Sequence, residues 1–136
     1  MEMIVKSVNE TQLEEVTELV SSGKGVIAIT EDDVKSVLVG KVGVLYEAHQ
    51  ESGTDNDTFM RDFFDELAIR GAFQSCTNML ICIGMSPDNP LLMGSMNIIN
   101  NLFLSIDNED LEVRWGIVEN KAGKGMSIYA ICTQTV

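Results

Sequence analysis

The chain has 136 residues, of which 45% are apolar and 22% charged, as is usual for a single globular domain. The net charge of −12 and the nine scattered basic residues argue against nucleic acid and anionic membranes as partners, since both require a basic surface. No apolar run approaches the roughly 20 residues that span a bilayer. Residues 1–6 lack the pattern of a signal peptide, so we expect a cytoplasmic location.

The N-terminal part is predicted to form a helix over residues 9–22. Asn9 is a suitable N-cap, and Gln12 lies three residues later, as in a capping box. Apolar residues then recur at three- and four-residue spacing, which gives the helix one apolar stripe. The short apolar stretch 25–29 follows and fits either a strand or a buried loop.

A second helix is predicted to begin after Thr30, with Asp33 in the reciprocal position of a capping box. It ends at Gly40, a residue type that commonly terminates helices. Its predicted buried face consists of Val34, Val37 and Leu38.

The remaining chain alternates between strand and helix patterns. The predicted strands are 41–50, 78–85, 111–118 and 126–134. The predicted helices are 57–74 and 90–105, the second beginning at a proline. Residues 78–85 are nearly all apolar, so this strand should be central and covered by other elements. The glycine-rich segment between the last two strands predicts that they form an antiparallel hairpin.

These elements predict an α+β fold, a two-layer α/β sandwich in which helices pack on a mixed four-stranded sheet. Strands separated by helices favour parallel crossovers, and the closing pair would be antiparallel. We expect residues 1–24 to form an N-terminal helix and residues 25–136 to form the main body of one compact domain.

The cysteines and the histidine of the sequence give little indication of a catalytic site. Cys76, Cys82 and Cys132 are predicted to be buried, reduced thiols, because free cysteine behaves as a small hydrophobe. His49 is the one histidine, and it is interpreted as a surface residue at a strand end. Any Ser-His-Asp or Cys-His-Asp set would depend on His49 alone, and one histidine with one carboxylate is too few for a metal site.

From about Glu18 to Thr133, the chain resembles the C-terminal domain of the tubulin-like bacterial division GTPase FtsZ. The similar segments are 18–20, 25–27, 33–38, 91–93, 100–103, 113–118 and 127–133. They correspond to the end of the central helix of that family, the loop after it, two later helices and the final hairpin. The resemblance implies the tubulin-type C-terminal fold described above.

The GTP-binding half of that family has no counterpart in this chain. In the family, an N-terminal domain holds the nucleotide with a glycine-rich loop, whose exposed backbone N–H groups can approach the phosphates. The eleven glycines of this chain are scattered and form no such loop. We therefore expect no GTP binding, no cofactor and no metal.

The family also supplies an activating loop, Asn-x-Asp-x-x-Asp, to the nucleotide of the next subunit. The positions that match its polar residues are Ala28, Thr30 and Asp33, and only Asp33 keeps the family's residue type. The resemblance implies that the loop from Gly25 to Asp33 faces a partner. No catalytic residue is predicted in it, because neither Ala28 nor Thr30 can act as a base near neutral pH.

The preferred functional hypothesis is a non-catalytic module for self-association or for binding to a tubulin-like GTPase polymer, with a role in cell division implied by the resemblance alone. One alternative is a small-molecule-binding or enzymatic domain whose site lies at the interface of a homo-oligomer. Another is that the chain is a fragment of a full-length FtsZ-like GTPase.

Overall fold

The structure is a computed structural model that describes residues 2–21, 25–27, 30–86, 93–119 and 125–133. Its strands are β1 (Met3–Asn9), β2 (Gly25–Ile27), β3 (Val42–His49), β4 (Asn78–Met85), β5 (Glu112–Glu119) and β6 (Ser127–Thr133). Its helices are α1 (Leu13–Ser21), α2 (Glu31–Leu38), α3 (Asn56–Ile69), α4 (Ala72–Ser75) and α5 (Met93–Ser105), and a 3₁₀ turn (Glu10–Gln12) precedes α1.

The strands form one mixed sheet in the order β1-β3-β6-β4-β5-β2. Strands β4 and β5 are parallel and are connected through α5, whereas every other neighbouring pair is antiparallel. Strand β6 lies between β3 and β4, so that Ser127 is opposite His49 on one side and Gly84 on the other. This register brings together residues that are far apart in the sequence.

The α+β class and the mixed sheet predicted from the sequence are confirmed, but the described residues contribute six strands to the sheet and not four. The hairpin prediction for 111–134 is wrong, because β4 lies between β5 and β6. The physical reason is the composition of β4, which is buried along nearly its whole length. A strand that is apolar on both faces is most stable in the centre of a sheet, with a partner on each edge.

Helices cover both faces of the sheet, so the architecture has three layers where two were predicted. On one face, α3, α4 and α5 pack on a core that includes Phe63, Ile81 and Ile128. On the other face, Val16 of α1 and Val34 of α2 pack with inward residues of β3, β4 and β6. Successive side chains of a strand point to opposite faces, so the continuous apolar sequence of β4 requires cover on both.

The element boundaries also differ in several places from the prediction. Residues 1–24 were expected to form an N-terminal helix, but residues 3–9 form edge strand β1 and helix α1 begins only at Leu13. The helix predicted over 57–74 is interrupted at Gly71, whose φ of 74° lies in the left-handed region that favours glycine. Residues 25–27 are a strand, whereas residues 28–29 lie outside the described part, as does Pro90.

Gly43 provides a test of the close packing between β3 and β6. A Cβ atom at this position would lie 2.7 Å from Cγ2 of Thr133 and 3.1 Å from the carbonyl oxygen of Cys132. Both neighbours belong to a central strand that cannot move freely. We expect Gly43→Ala to lower the free energy of unfolding by about 1 to 3 kcal/mol in urea denaturation.

The matched control is Gly94→Ala in α5, where an added Cβ would meet no atom within 4 Å. Because alanine is a better helix former than glycine, this variant should be as stable as the parent or more stable by up to about 1 kcal/mol. Equal stability of the two variants would contradict the proposed close packing at Gly43.

Candidate functional site

In the structure, the described residues of the predicted partner-facing loop lie in β2, at one edge of the sheet, and at the start of α2. Gly25 lies in β2 at the sheet edge, opposite Val118 near the end of β5. Thr30 and Asp33 lie at the start of α2. Ala28 lies outside the described residues. The described part of the loop is therefore an edge strand followed by a helix N-terminus.

Thr30 and Asp33 form a complete capping box. The backbone N–H and the hydroxyl of Thr30 both donate to one carboxylate oxygen of Asp33, at 2.9 and 3.0 Å, and the N–H of Asp33 donates to the Thr30 hydroxyl at 3.2 Å. Nη1 of Arg114 lies 3.8 Å from the other carboxylate oxygen and also donates to the Ser36 hydroxyl. The local role of Asp33 is therefore to stabilise the start of α2.

A second polar cluster, which the sequence did not predict, lies on the face of the sheet that packs against α1 and α2. It lies on the side of that face away from β2. We call it the Ser127 cluster, and its members are Glu47, His49, Ser127 and Tyr129. Nδ1 of His49 is 2.8 Å from the Ser127 hydroxyl, and Nε2 of His49 is 2.7 Å from a carboxylate oxygen of Glu47. The histidine thus connects a hydroxyl to a carboxylate through its two ring nitrogens.

The backbone register fixes this arrangement. His49 is directly opposite Ser127, and Glu47 is directly opposite Tyr129, so that the four side chains share one face of two adjacent strands. His49 lies at the carboxyl end of β3, and Ser127 pairs with Gly84 near the carboxyl end of β4. Ligand sites of open α/β sheets commonly lie outside the carboxyl ends of the strands.

The environment of the cluster changes from buried to exposed over a few ångströms. Ser127 is buried, with 5% of its surface exposed, whereas half of the His49 side chain is exposed. Burial, together with the nearby Glu47 carboxylate, raises the pKa of Tyr129, and a hydrogen bond with Ser127 acts in the opposite direction. The net rise keeps the phenol protonated at neutral pH.

Neighbouring hydrogen bonds hold the strand ends that carry the cluster. The backbone N–H of Gln50 donates to the carbonyl oxygen of Met126 at 2.8 Å, and the N–H of Met126 donates to the Gln50 side chain at 2.9 Å. The amide nitrogen of Gln50 also donates to the carbonyl oxygen of Thr54 and to the side chain of Asn56. These bonds hold the residues adjacent to His49 and Ser127 against each other and against the start of α3.

Sequence reasoning placed His49 at a strand end, and the structure confirms that position. It did not find Ser127 or Glu47 as partners. Glu47 and His49 are two residues apart in a predicted strand and therefore share a face, which is a usable signal. Ser127 is 78 positions away from His49, and only the order and register of the strands bring it near.

The three cysteines are buried thiols, as predicted. Burial raises the pKa of Cys82 to about 12. A hydrogen bond with Cys76 and burial raise the pKa of Cys132, whose thiol therefore stays protonated. A thiol that stays protonated is a poor nucleophile, so neither Cys82 nor Cys132 is a candidate catalytic residue.

Open grooves on the described surface include one between α3 and α5 and one beside β5. Their volumes are about 250 and 290 Å³, and neither includes a residue of the Ser127 cluster or of the predicted loop.

Among the described residues, no three His, Cys, Asp or Glu side chains are grouped as a metal site would require. Within the same residues, no helix has both the length and the apolar character of a transmembrane span.

Comparisons with known proteins leave the family of the chain open. No protein-family model matches the chain, and no curated protein matches it.

The capping box at Thr30 can be tested directly. We expect Thr30→Ala to lower the free energy of unfolding by about 1 kcal/mol, because the N–H of Asp33 loses its side-chain acceptor and the Asp33 carboxylate loses the Thr30 hydroxyl. Thr30→Ser keeps the hydroxyl and should stay close to the parent in the same urea titration. If the alanine and serine variants were equally stable, the cap would contribute nothing.

Proposed function

We propose that the chain is a protein–protein interaction module that self-associates through the open edge of β1. The observation that carries this proposal is the exposed edge strand itself, together with the order of charged and apolar residues along it. The resemblance to the C-terminal domain of FtsZ, whose relatives assemble into polymers, is in keeping with an associating module.

Strand β1 is the longer of the two open edges of the sheet. Among the described residues it pairs only with β3, which leaves the backbone groups on its other side available. Ile4 and Val5 are 39% and 44% exposed, and Val42 on the adjacent strand is 72% exposed. An unprotected edge of seven residues is a template for pairing with a further strand. Strand β2, at the opposite edge, has only three residues.

The charge pattern of this edge favours a second copy of the same chain as the occupant. If two β1 strands pair antiparallel about a two-fold axis at Ile4, Lys6 of each copy lies opposite Glu2 of the other, and Met3 lies opposite Val5. Opposite charges directly across two strands stabilise the pair, and the same patch serves both subunits.

The register about Lys6 is disfavoured by the same residues. Pairing about Lys6 would place the two lysines opposite each other and would place Glu2 opposite Glu10. Like charges in directly opposed positions destabilise a strand pair, so the charges favour the register about Ile4 over the register about Lys6.

The overall charge sets the conditions under which association should be measured. Two copies with a net charge of −12 each repel one another, and this long-range repulsion is screened over about 10 Å at 0.1 M salt. The close Glu2–Lys6 pairs are screened less than the long-range repulsion. Moderate salt should therefore strengthen association relative to low salt.

Exchanging the charges at the edge tests the proposed register. Lys6→Glu replaces two attractive pairs with two repulsive ones, which should weaken the dimer by roughly 1 to 4 kcal/mol, or about fivefold or more in Kd. The double variant Glu2→Lys with Lys6→Glu restores both pairs with reversed signs and should recover the parental Kd. Sedimentation equilibrium at fixed ionic strength measures all three proteins.

Arg61→Glu in α3 controls for net charge, since it changes the net charge of each chain by the same −2 at a residue outside β1. It should change the Kd much less than Lys6→Glu does. A parent chain that stays monomeric at all concentrations would refute self-association, and failure of the double variant to recover dimerisation would refute this register.

A second candidate role is capping of a tubulin-like GTPase polymer, which we also propose to take place in the cytoplasm. The specific observation in its favour is the state of Asp33. One carboxylate oxygen accepts two hydrogen bonds from Thr30, and the other lies 3.8 Å from Nη1 of Arg114, so the carboxylate is engaged in the helix cap and is held away from the geometry of a free base. A chain that docks through this loop would cover a nucleotide without activating hydrolysis.

The capping role predicts a measurable effect on polymerisation. Mixing the chain with FtsZ from the same organism should shorten the filaments and slow phosphate release, because loss of a positioned general base typically lowers a rate by about 10²–10⁴-fold. The variant Ala28→Asn with Thr30→Asp restores the polar groups of the activating loop and should raise turnover at the junction. No change in filament length at several-fold excess of the chain, with no complex in a pull-down, would refute capping and leave self-association unaffected.

A further inference from the structure

We propose that the Ser127 cluster is an acyl-transfer site in which Ser127 is the nucleophile, His49 the general base and Glu47 a positioning residue for His49, acting on small carboxylic esters. This activity is independent of self-association and rests on the side-chain geometry at the carboxyl ends of β3 and β4.

The hydrogen bonds place the proton where the reaction needs it. Glu47 accepts a hydrogen bond at Nε2 of His49, which favours the neutral tautomer with its proton on Nε2. The lone pair of Nδ1 then points at the Ser127 hydroxyl, 2.8 Å away. A nucleophile bonded to a base that is itself oriented by a third group is the arrangement that activates serine.

Tyr129 supplies a donor for the charge that develops during the reaction. Tyr129 is two residues from Ser127 on the same face of β6, and an interaction with the Ser127 side chain partly offsets the rise in the pKa of Tyr129, so its hydroxyl lies near Ser127. Its ring lies edge-on to that of His49, with 6.1 Å between the ring centroids. A phenolic O–H in this position can donate to the oxyanion of a tetrahedral intermediate.

Burial restricts the size of the acyl group. Ser127 is buried, whereas the exposed half of His49 opens the cluster to solvent. The Glu47 side chain is also largely covered, which preserves the strength of its bond to His49. A short acyl group such as acetyl needs the least room beside the imidazole ring, so we expect acetyl esters to react faster than esters of bulky acids.

The proposed reaction balances in two steps. The oxygen of Ser127 attacks the ester carbonyl carbon while its proton passes to Nδ1 of His49, and the alcohol leaves with that proton, which gives an acetyl-serine. Water then attacks the acetyl-serine, with His49 taking a proton from the water and returning it to Ser127. The products are acetate and the alcohol, and no oxidant, reductant or cofactor is consumed.

The probe is p-nitrophenyl acetate with the full chain at neutral pH. We expect a burst of p-nitrophenol followed by slower turnover, with mass spectrometry of the quenched protein locating an acetyl group on Ser127. Ser127→Ala should remove both the burst and the adduct. His49→Gln should lower the acylation rate by about 10²–10⁴-fold, the usual contribution of a general base.

Glu47→Gln tests the positioning role, because glutamine can still accept from Nε2 but lacks the charge that stabilises an imidazolium. It should lower kcat with little change in KM, whereas a residue needed only for folding would lower the active fraction and leave the turnover of folded protein unchanged. Ser52→Ala, in an exposed turn of the described chain, is the matched serine control and should retain full activity. Urea midpoints establish that each variant is folded.

Three outcomes would overturn the proposal. One is a folded Ser127→Ala variant that hydrolyses the ester at the parental rate. Another is an acetyl group found on His49 and never on Ser127, which would indicate simple imidazole catalysis. The third is a parent chain without burst or adduct whose rate equals that of free imidazole at the same concentration.

Discussion

The structure depends on the burial of two central strands, β4 and β6, on both of their faces. Six of the eight residues of β4 are buried, and β6 is nearly as apolar. Such strands need a partner on each edge and helices above and below, which accounts for the position of β4 between β5 and β6 and for the three layers. The same constraint places β6 against β3, and therefore Ser127 against His49.

The two polar sites of this fold differ in how far apart their residues lie in the sequence. The capping box joins Thr30 and Asp33, which are three positions apart, and forms wherever the chain enters a helix with that spacing. The Ser127 cluster spans two strands and exists only when the central sheet is complete. The first site therefore contributes to the stability of one helix, whereas the second depends on the stability of the whole sheet.

This difference explains which features of the fold could be predicted from the sequence. The capping boxes at Asn9 and Thr30 and the four longer internal strands were predictable, because each depends on residues close in sequence. The strand order could not be predicted in this way. Strand β6 is apolar and follows a glycine-rich segment, and this local pattern does not specify which strands it pairs with. Strand β1 was missed because Lys6 and Ser7 interrupt its apolar residues, as is typical of an edge strand. Ser127 was missed because its role depends on register alone.

The proposed dimer edge and the Ser127 cluster are separated by one strand. Ile4, about which two β1 strands would pair, is directly opposite Glu47 in the β1–β3 ladder and shares its face of the sheet. A second copy paired at Ile4 would add its strand on the outer side of β1, so that β1 stands between the second copy and Glu47. Dimerisation would therefore leave the contact between Glu47 and His49 in place. Self-association depends on the edge of the sheet and acyl transfer on its central strands, so each can be measured without the other.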